Sequence, residues 1–178
     1  MKALSTLAML LGVEVGFNLA DTEEFIAGLI YGLVNDDDLS EIQQCLQGGQ
    51  QLEDEIETAV ADFKKKDITD IIAGIEVIGQ IVQEFPTDLE NCKNMQGDID
   101  RIEAWAQIFK DPKQLVKTMT VNFMKNKTPI IGNATAVASD WAAENYYQSG
   151  DDIANVLVLA IGAVPNATQP EDLDLTQW

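Results

Sequence analysis

The chain has 178 residues, 46% of them apolar, which is enough for one sizeable core in a domain that folds alone. Eleven basic residues against 30 acidic ones give a formal charge of −19. Such a surface repels phosphate backbones and anionic head groups, which excludes nucleic acid as a partner.

The chain opens with Lys2, an apolar run from Ala3 to Val13, and small residues leading to Asn18-Leu19-Ala20 before Asp21. This pattern reads as a signal peptide over residues 1–20. No other stretch reaches the roughly 18 uninterrupted apolar residues of a membrane span, so no transmembrane anchor is expected. Beyond it, helix starts are marked by pairs three apart: Asp21 with Glu24, Ser40 with Gln43, Thr87 with Glu90, Asp111 with Gln114 and Ser149 with Asp152. Asp111-Pro112 and Thr128-Pro129 add proline at a first helical position, where its missing N–H costs nothing. Gly48-Gly49, Pro86 and Gly150 supply breaks. The map that follows has helices near 22–34, 40–47, 51–65, 68–85, 88–109, 112–125, 129–147 and 151–164, and no strand. In the third, Leu52, Ile56, Ala59, Val60 and Phe63 recur at helical spacing.

The second half repeats the first with a period of about 78 residues. Thr58-Ala59-Val60-Ala61-Asp62-Phe63 returns as Thr135-Ala136-Val137-Ala138-Ser139-Asp140-Trp141, and Glu24-Phe25 has its counterpart in Glu103-Ala104-Trp105. Each copy then runs through a very apolar segment to Pro86 or Pro165. The expected fold is an all-α bundle of two tandem repeats, about 21–86 and 98–165, related by a pseudo-twofold axis within one domain spanning 21–165. Helices without a polar face belong inside a bundle, so the two apolar segments are expected to pack on each other. Gly28 and Gly32 mark a tight helix crossing, of membrane type or within a soluble core. The remainder, 166–178, is an acidic tail carrying Leu173, Leu175 and Trp178.

Cys45 and Cys92 are the only cysteines, an even number in a chain with a secretory start. They read as a disulfide or as two buried thiols. Three Asn-X-Ser/Thr acceptors, at Asn126, Asn133 and Asn166, fit the same compartment; Asn166 follows Pro165 in a polar tail, whereas Pro129 after Thr128 makes Asn126 a poorer acceptor. Lys110, Lys113, Lys117, Lys125 and Lys127 share their stretch with Asp111 alone. That locally basic segment either neutralises acidic helices within the fold or meets the acidic body of another copy.

The residue inventory is poor in chemistry. Without histidine the chain lacks the commonest general base, triad partner and zinc ligand. No nucleophile elbow and no phosphate-cradling glycine loop is present. Asp36-Asp37-Asp38 with Ser40 and Glu41 lacks the spacing of a calcium loop and reads as a solvated turn. Asp98 with Asp100 and Asp151 with Asp152 read as acids placed at helix starts by the helix dipole. No enzymatic activity, cofactor or metal is expected.

The run Asp100-Ile102-Trp105, Pro112, Leu115-Val116, Asn122, Ile130, Asp140-Trp141, Tyr146-Tyr147 and Gly150-Asp151-Asp152-Ile153-Ala154 resembles a group of small secreted helical proteins of ciliates and related protists. The likeness covers roughly residues 22–164. It implies a secreted all-helical fold with a disulfide, and carries no catalytic residue across. Two functions are expected from the whole: an extracellular structural protein that self-associates into a coat, tube or filament, or a carrier of lipid or another apolar molecule. The second would use Ile75, Ile78, Val82, Val156 and Leu159 to line a cavity between the halves.

Overall fold

The computed structural model describes residues 17–165. Most of the signal-peptide segment, the acceptor Asn166 and the acidic tail lie outside the described residues. Within them the chain forms α1 (Leu19–Val34), α2 (Leu39–Cys45), α3 (Gly49–Lys64), α4 (Ile68–Gln83), α5 (Phe85–Asp88), α6 (Gln96–Trp105), α7 (Pro112–Ala142) and α8 (Tyr146–Ile161). Two 3₁₀ turns, Lys93–Met95 and Ala106–Lys110, join them, and no strand occurs among the described residues. The all-α class expected from helical spacing is the class observed.

Local chemistry explains most ends. Asn18 caps α1 through a reciprocal box, its Oδ1 accepting from Asp21 N at 3.1 Å while Asp21 Oδ2 accepts from Asn18 N at 3.2 Å. The box therefore begins three residues before the one expected at Asp21. At the other end Asn35 takes the left-handed conformation, φ 62°, and donates its N–H to the Tyr31 carbonyl. Asp111 caps α7 as expected, accepting from Gln114 N at 3.2 Å. Gly48, at φ 122°, turns the chain into α3.

Three boundaries differ from the sequence map. The expected gap between 125 and 129 is a kink, not a break: α7 continues through Asn126, at φ −121° and ψ 21°. Pro129 causes it, because it cannot donate to the Lys125 carbonyl and its ring crowds that oxygen. Residues 88–109 do not form one helix but are interrupted around Cys92. Last, α8 starts at Tyr146 under an Asn145 cap, so Ser149 and Gly150 lie inside it; Ser149 is buried and donates to the Val137 carbonyl at 3.2 Å.

The apolar helices also find different partners from those expected. Instead of packing on each other, α4 packs against α3 and the 106–110 turn, whereas α8 is held between α1 and α7. Thr58–Phe63 falls in α3, which the apolar α4 follows, and Thr135–Trp141 falls in α7, which α8 follows.

The α1–α8 contact is unusually close because both helices present glycine to it. A methyl group at Gly28 would overlap the Tyr147 carbonyl, one at Gly150 the Phe25 carbonyl, and one at Gly32 the Ala154 methyl and Asp151. Gly28 and Gly32 thus lie at a tight helix crossing within the core. Around this crossing Phe25, Ile26, Leu29, Ile30, Ile153, Val156 and Leu157 have no exposed surface. Each such burial contributes about 1.5–3 kcal/mol.

The disulfide forms between Cys45 and Cys92, with Cα atoms 5.2 Å apart and a sequence separation of 47. It fastens α2 to the segment after α5. Beside it, Glu41 accepts from Asn94 N at 3.3 Å and Asn94 Nδ2 at 3.1 Å, and Gln47 N donates to the Asp88 carbonyl at 2.9 Å. A bridge across a loop of this length stabilises by about 4 kcal/mol on the chain-entropy account.

Gly28→Ala should cost at least ~2 kcal/mol, because backbone sits where the methyl must go. Gly132→Ala, in an exposed interior position of α7 with open space around it, should instead gain about 0.5–1 kcal/mol through helix propensity. Urea unfolding of the two variants beside the parent checks the contrast.

Candidate functional site

Surface depressions of about 310 and 520 Å³ lie among the described residues. The first lies at the end of α1 and is lined by Tyr31, Asn35, Arg101, Asp151, Asn155 and Val164. The second, on α3 and α4, is lined by Gln50, Gln51, Asp54, Glu55, Thr58, Val77 and Gln80. Neither includes any of the candidate ligand-lining residues. Ile75, Ile78, Val82 and Val156 are fully buried in the core, and Leu159 is half-buried. All five belong to one hydrophobic core, three on α4 and two on α8.

Two residues of the run that carries the family resemblance, Trp105 and Asn122, hold the end of α8 in place together with Arg101 and Asn126. The last carbonyls of any helix lack partners within it. Here Asn122 Nδ2 donates to Ala160 O at 2.9 Å and Asn126 Nδ2 to Leu159 O at 3.2 Å. Just beyond, Trp105 Nε1 donates to Gly162 O at 2.9 Å and Arg101 Nε to Pro165 O at 3.0 Å. The kink at Asn126 aims its amide at α8, so the acceptor Asn126 is already engaged. Asn133 is nearer the surface, its Nδ2 donating to Pro129 O at 2.9 Å. At the opposite end Trp141 stacks with Phe17, Phe25 and Tyr146 at ring separations of 4.8, 6.0 and 4.9 Å, with Lys64 Nζ 5.9 Å from its centre.

The exposed face lies on the first part of α7. Leu115, Met119 and Phe123 point into the core, which leaves Lys113, Val116, Lys117, Thr120, Val121, Met124 and Lys125 outward. Val116, Val121 and Met124 are 58, 45 and 82% exposed, three of five large apolar side chains so exposed among the described residues. The ion pairs among these residues join Lys65 to Asp62 and Asp70, and Arg101 to Asp98. No lysine of the 110–127 segment has an ion-pair partner among the described residues. Sequence reading found these lysines but not the apolar side chains between them. Residues 116, 121 and 124 fall off the buried stripe of 115, 119 and 123, and that offset was the available signal.

The acids are crowded. Asp98, in the first turn of α6 as expected, is pushed up to about 7 by burial and by the carboxyls of Asp38 and Asp36, although Arg101 at 3.7 Å pulls the other way. Asp152 is pushed up to about 7 by burial, then by Asp140 across from it on α7. Asp151 and Asp152 are not helix-start acids, since α8 begins at Tyr146. Asp88 is pushed up to about 6 by burial and Glu84. Tyr147 is pushed up to about 12, by burial and the nearby Asp37 carboxyl. None of these groups combines into a set able to hold a metal ion among the described residues.

A model of the "SctB-like: Secreted protein B-like" family matches residues 7–161. The chain belongs to that family. It is also similar to "Secreted protein A" of Dictyostelium discoideum, at 25% identity over 144 residues that cover 75% of this chain and 80% of the relative. No solved structure matches it. The chain is a secreted protein, and no helix among the described residues is long and apolar enough to cross a membrane. The resemblance read from the sequence stands as a small secreted helical protein, but its narrowing to ciliates does not: the relative is from Dictyostelium discoideum.

Asn122→Ala and Asn126→Ala should each destabilise by about 1 kcal/mol by freeing a carbonyl at the end of α8. Hydrogen exchange at residues 158–162 should quicken in both, while exchange in α3 stays unchanged.

Proposed function

We propose that this secreted family member is a non-enzymatic structural protein whose copies associate head to tail through the outward face of α7. The observation that carries the reading is the combination on that face of unpaired lysines with exposed Val116, Val121 and Met124, on a molecule whose other surfaces are acidic. Five of the eleven basic residues fall between 110 and 127 beside a single acid, so the rest of the chain is more negative than its total suggests.

A complementary surface exists at the far end of α1. Asp36 and Asp37 are exposed there, Tyr31 is 37% exposed, and the shallow depression lined by Tyr31, Asn35 and Asp151 opens beside them. Lysines set the encounter and orientation of such a contact, and thioether against tyrosine ring supplies adaptable packing. Because the two surfaces differ, the contact is heterologous: it repeats as a ring if the rotation closes and as a filament if it does not. The alternative of a lipid carrier has less behind it, since the aliphatic side chains it needs fill the core and line neither depression.

Sedimentation at low ionic strength should show assemblies that shift to monomer as salt approaches about 0.5 M, where surface charge is screened. Lys113→Glu with Lys117→Glu should abolish assembly at any salt. Mixing that variant with Asp36→Lys/Asp37→Lys should restore a contact that neither variant makes alone. A parent protein that stays monomeric at millimolar concentration and low salt sinks the proposal.

A further inference from the structure

Acids in this chain meet across helix boundaries. The Asp38 carboxyl, on the turn between α1 and α2, meets Asp98 of α6; Glu55 of α3 meets Glu84 at the end of α4; Asp140 of α7 meets Asp152 of α8. Buried carboxyl oxygens without a hydrogen-bond donor occur at the same places: Asp38 Oδ2, Glu55 Oε1, Asp88 Oδ2 and Asp152 Oδ2. Asp152 is the most enclosed of them, at 6% exposure. Its other oxygen accepts from Gln148 Nε2 at 3.1 Å. An ionised carboxylate only accepts hydrogen bonds, so two facing carboxylates leave each other unsatisfied and repelling. One proton between them turns the same geometry into a short charge-assisted bond.

We infer that the facing carboxyls are proton-operated clasps between helices, closed when each pair holds one proton and opened when it is lost, so that this secreted fold is firmest in acidic surroundings. The Asp140–Asp152 clasp joins α7 to α8, the helix on which α1 is packed. The charged and titratable groups acting on Asp152 are Asp140 from α7 and Asp151 from its own helix, with Gln148 as the donor. On Asp98 they are Asp38 and Asp36, opposed by Arg101. On Glu55 they are Glu84 and Asp88, with Gln51 as donor. No base stands at the Asp152 or Glu55 clasps to replace the proton.

The direction of the pH effect follows. Asp98 and Asp152 rise from 3.8 in the unfolded chain to about 7 in the fold, and Asp88 to about 6, so the native state holds more protons between those limits. The stabilisation is complete below about pH 4 for these groups and is lost as pH rises through 6 and 7. General repulsion in a chain of charge −19 has the same sign but is screened by salt, whereas a buried pair is screened far less.

The test is urea unfolding of the full disulfide-bonded protein at pH 5.5 and pH 8 in about 0.5 M salt, for the parent and for Asp152→Asn, whose amide donates to Asp140 at every pH. The parent's folding constant should be about tenfold or more larger at pH 5.5, and the variant's ratio should fall by about a factor of ten or more for the one clasp removed. Carboxyl ¹³C titration of the native parent should show one resonance of the Asp140–Asp152 pair moving near pH 7, and this readout decides even if the variant does not fold. A parent equally stable or more stable at pH 8, a variant with the parent's full pH dependence, or a pair titrating entirely below pH 5 overturns the inference.

Discussion

The fold rests on how closely two backbones approach. Gly28 on α1 and Gly150 on α8 each stand against a carbonyl of the opposite helix, which brings the axes nearer than side chains would allow. At that distance Phe25, Leu29, Ile153 and Leu157 are shut off from water entirely. Dispersion and hydrophobic contact then come from a dense interface without a large residue at its centre. The position of α8 fixes α7, because Asn122 and Asn126 reach its terminal carbonyls and Ser149 reaches Val137. The outward face of α7 is therefore set, through two intermediaries, by a pair of glycines.

Much of this was legible in the sequence, and the misses have physical reasons. Helical periodicity through Leu52, Ile56, Ala59, Val60 and Phe63 gave α3 because its buried stripe is local information, one face against one neighbour. The Asp111–Pro112 start gave α7 for the same reason. Gly150 was misread as a break. A glycine inside a helix and a glycine ending one look alike in sequence, and only the Phe25 carbonyl facing it tells them apart. The choice of partners for α4 and α8 was also beyond periodicity: two segments that are apolar on most faces have no stripe to say which neighbour each prefers. Gly74 against the Phe63 ring and Gly79 against the Phe109 ring decide it for α4, and the second of these contacts joins elements distant in the chain.

The site was half legible. Lysines clustered between 110 and 127 announce a patch by count alone, but whether they are spent within the fold depends on which acids come near, and among the described residues none lies within ion-pairing distance. The cysteines were readable from number and compartment. Facing carboxyls were not readable at all, since Asp140 and Asp152 belong to different helices, and each looks in sequence like an ordinary surface acid.

Acid crowding and basic exposure are two results of one distribution of charge. A chain with 30 acids and 11 bases cannot pair most of its carboxylates, and it places five of its bases apart from them, four on α7 and Lys110 just before it. Had Lys117 or Lys125 pointed inward toward the carboxyls of α8, the Asp140–Asp152 contact would be an ion pair indifferent to neutral pH, and the α7 face would be apolar and uncharged. Instead the interior contacts depend on protons and the exterior face keeps its cations free. On the proposed reading, acidity acts on the cohesion of one molecule, while ionic strength acts on the contact between two. The two variables stay separable because the clasps are enclosed and the lysines are not.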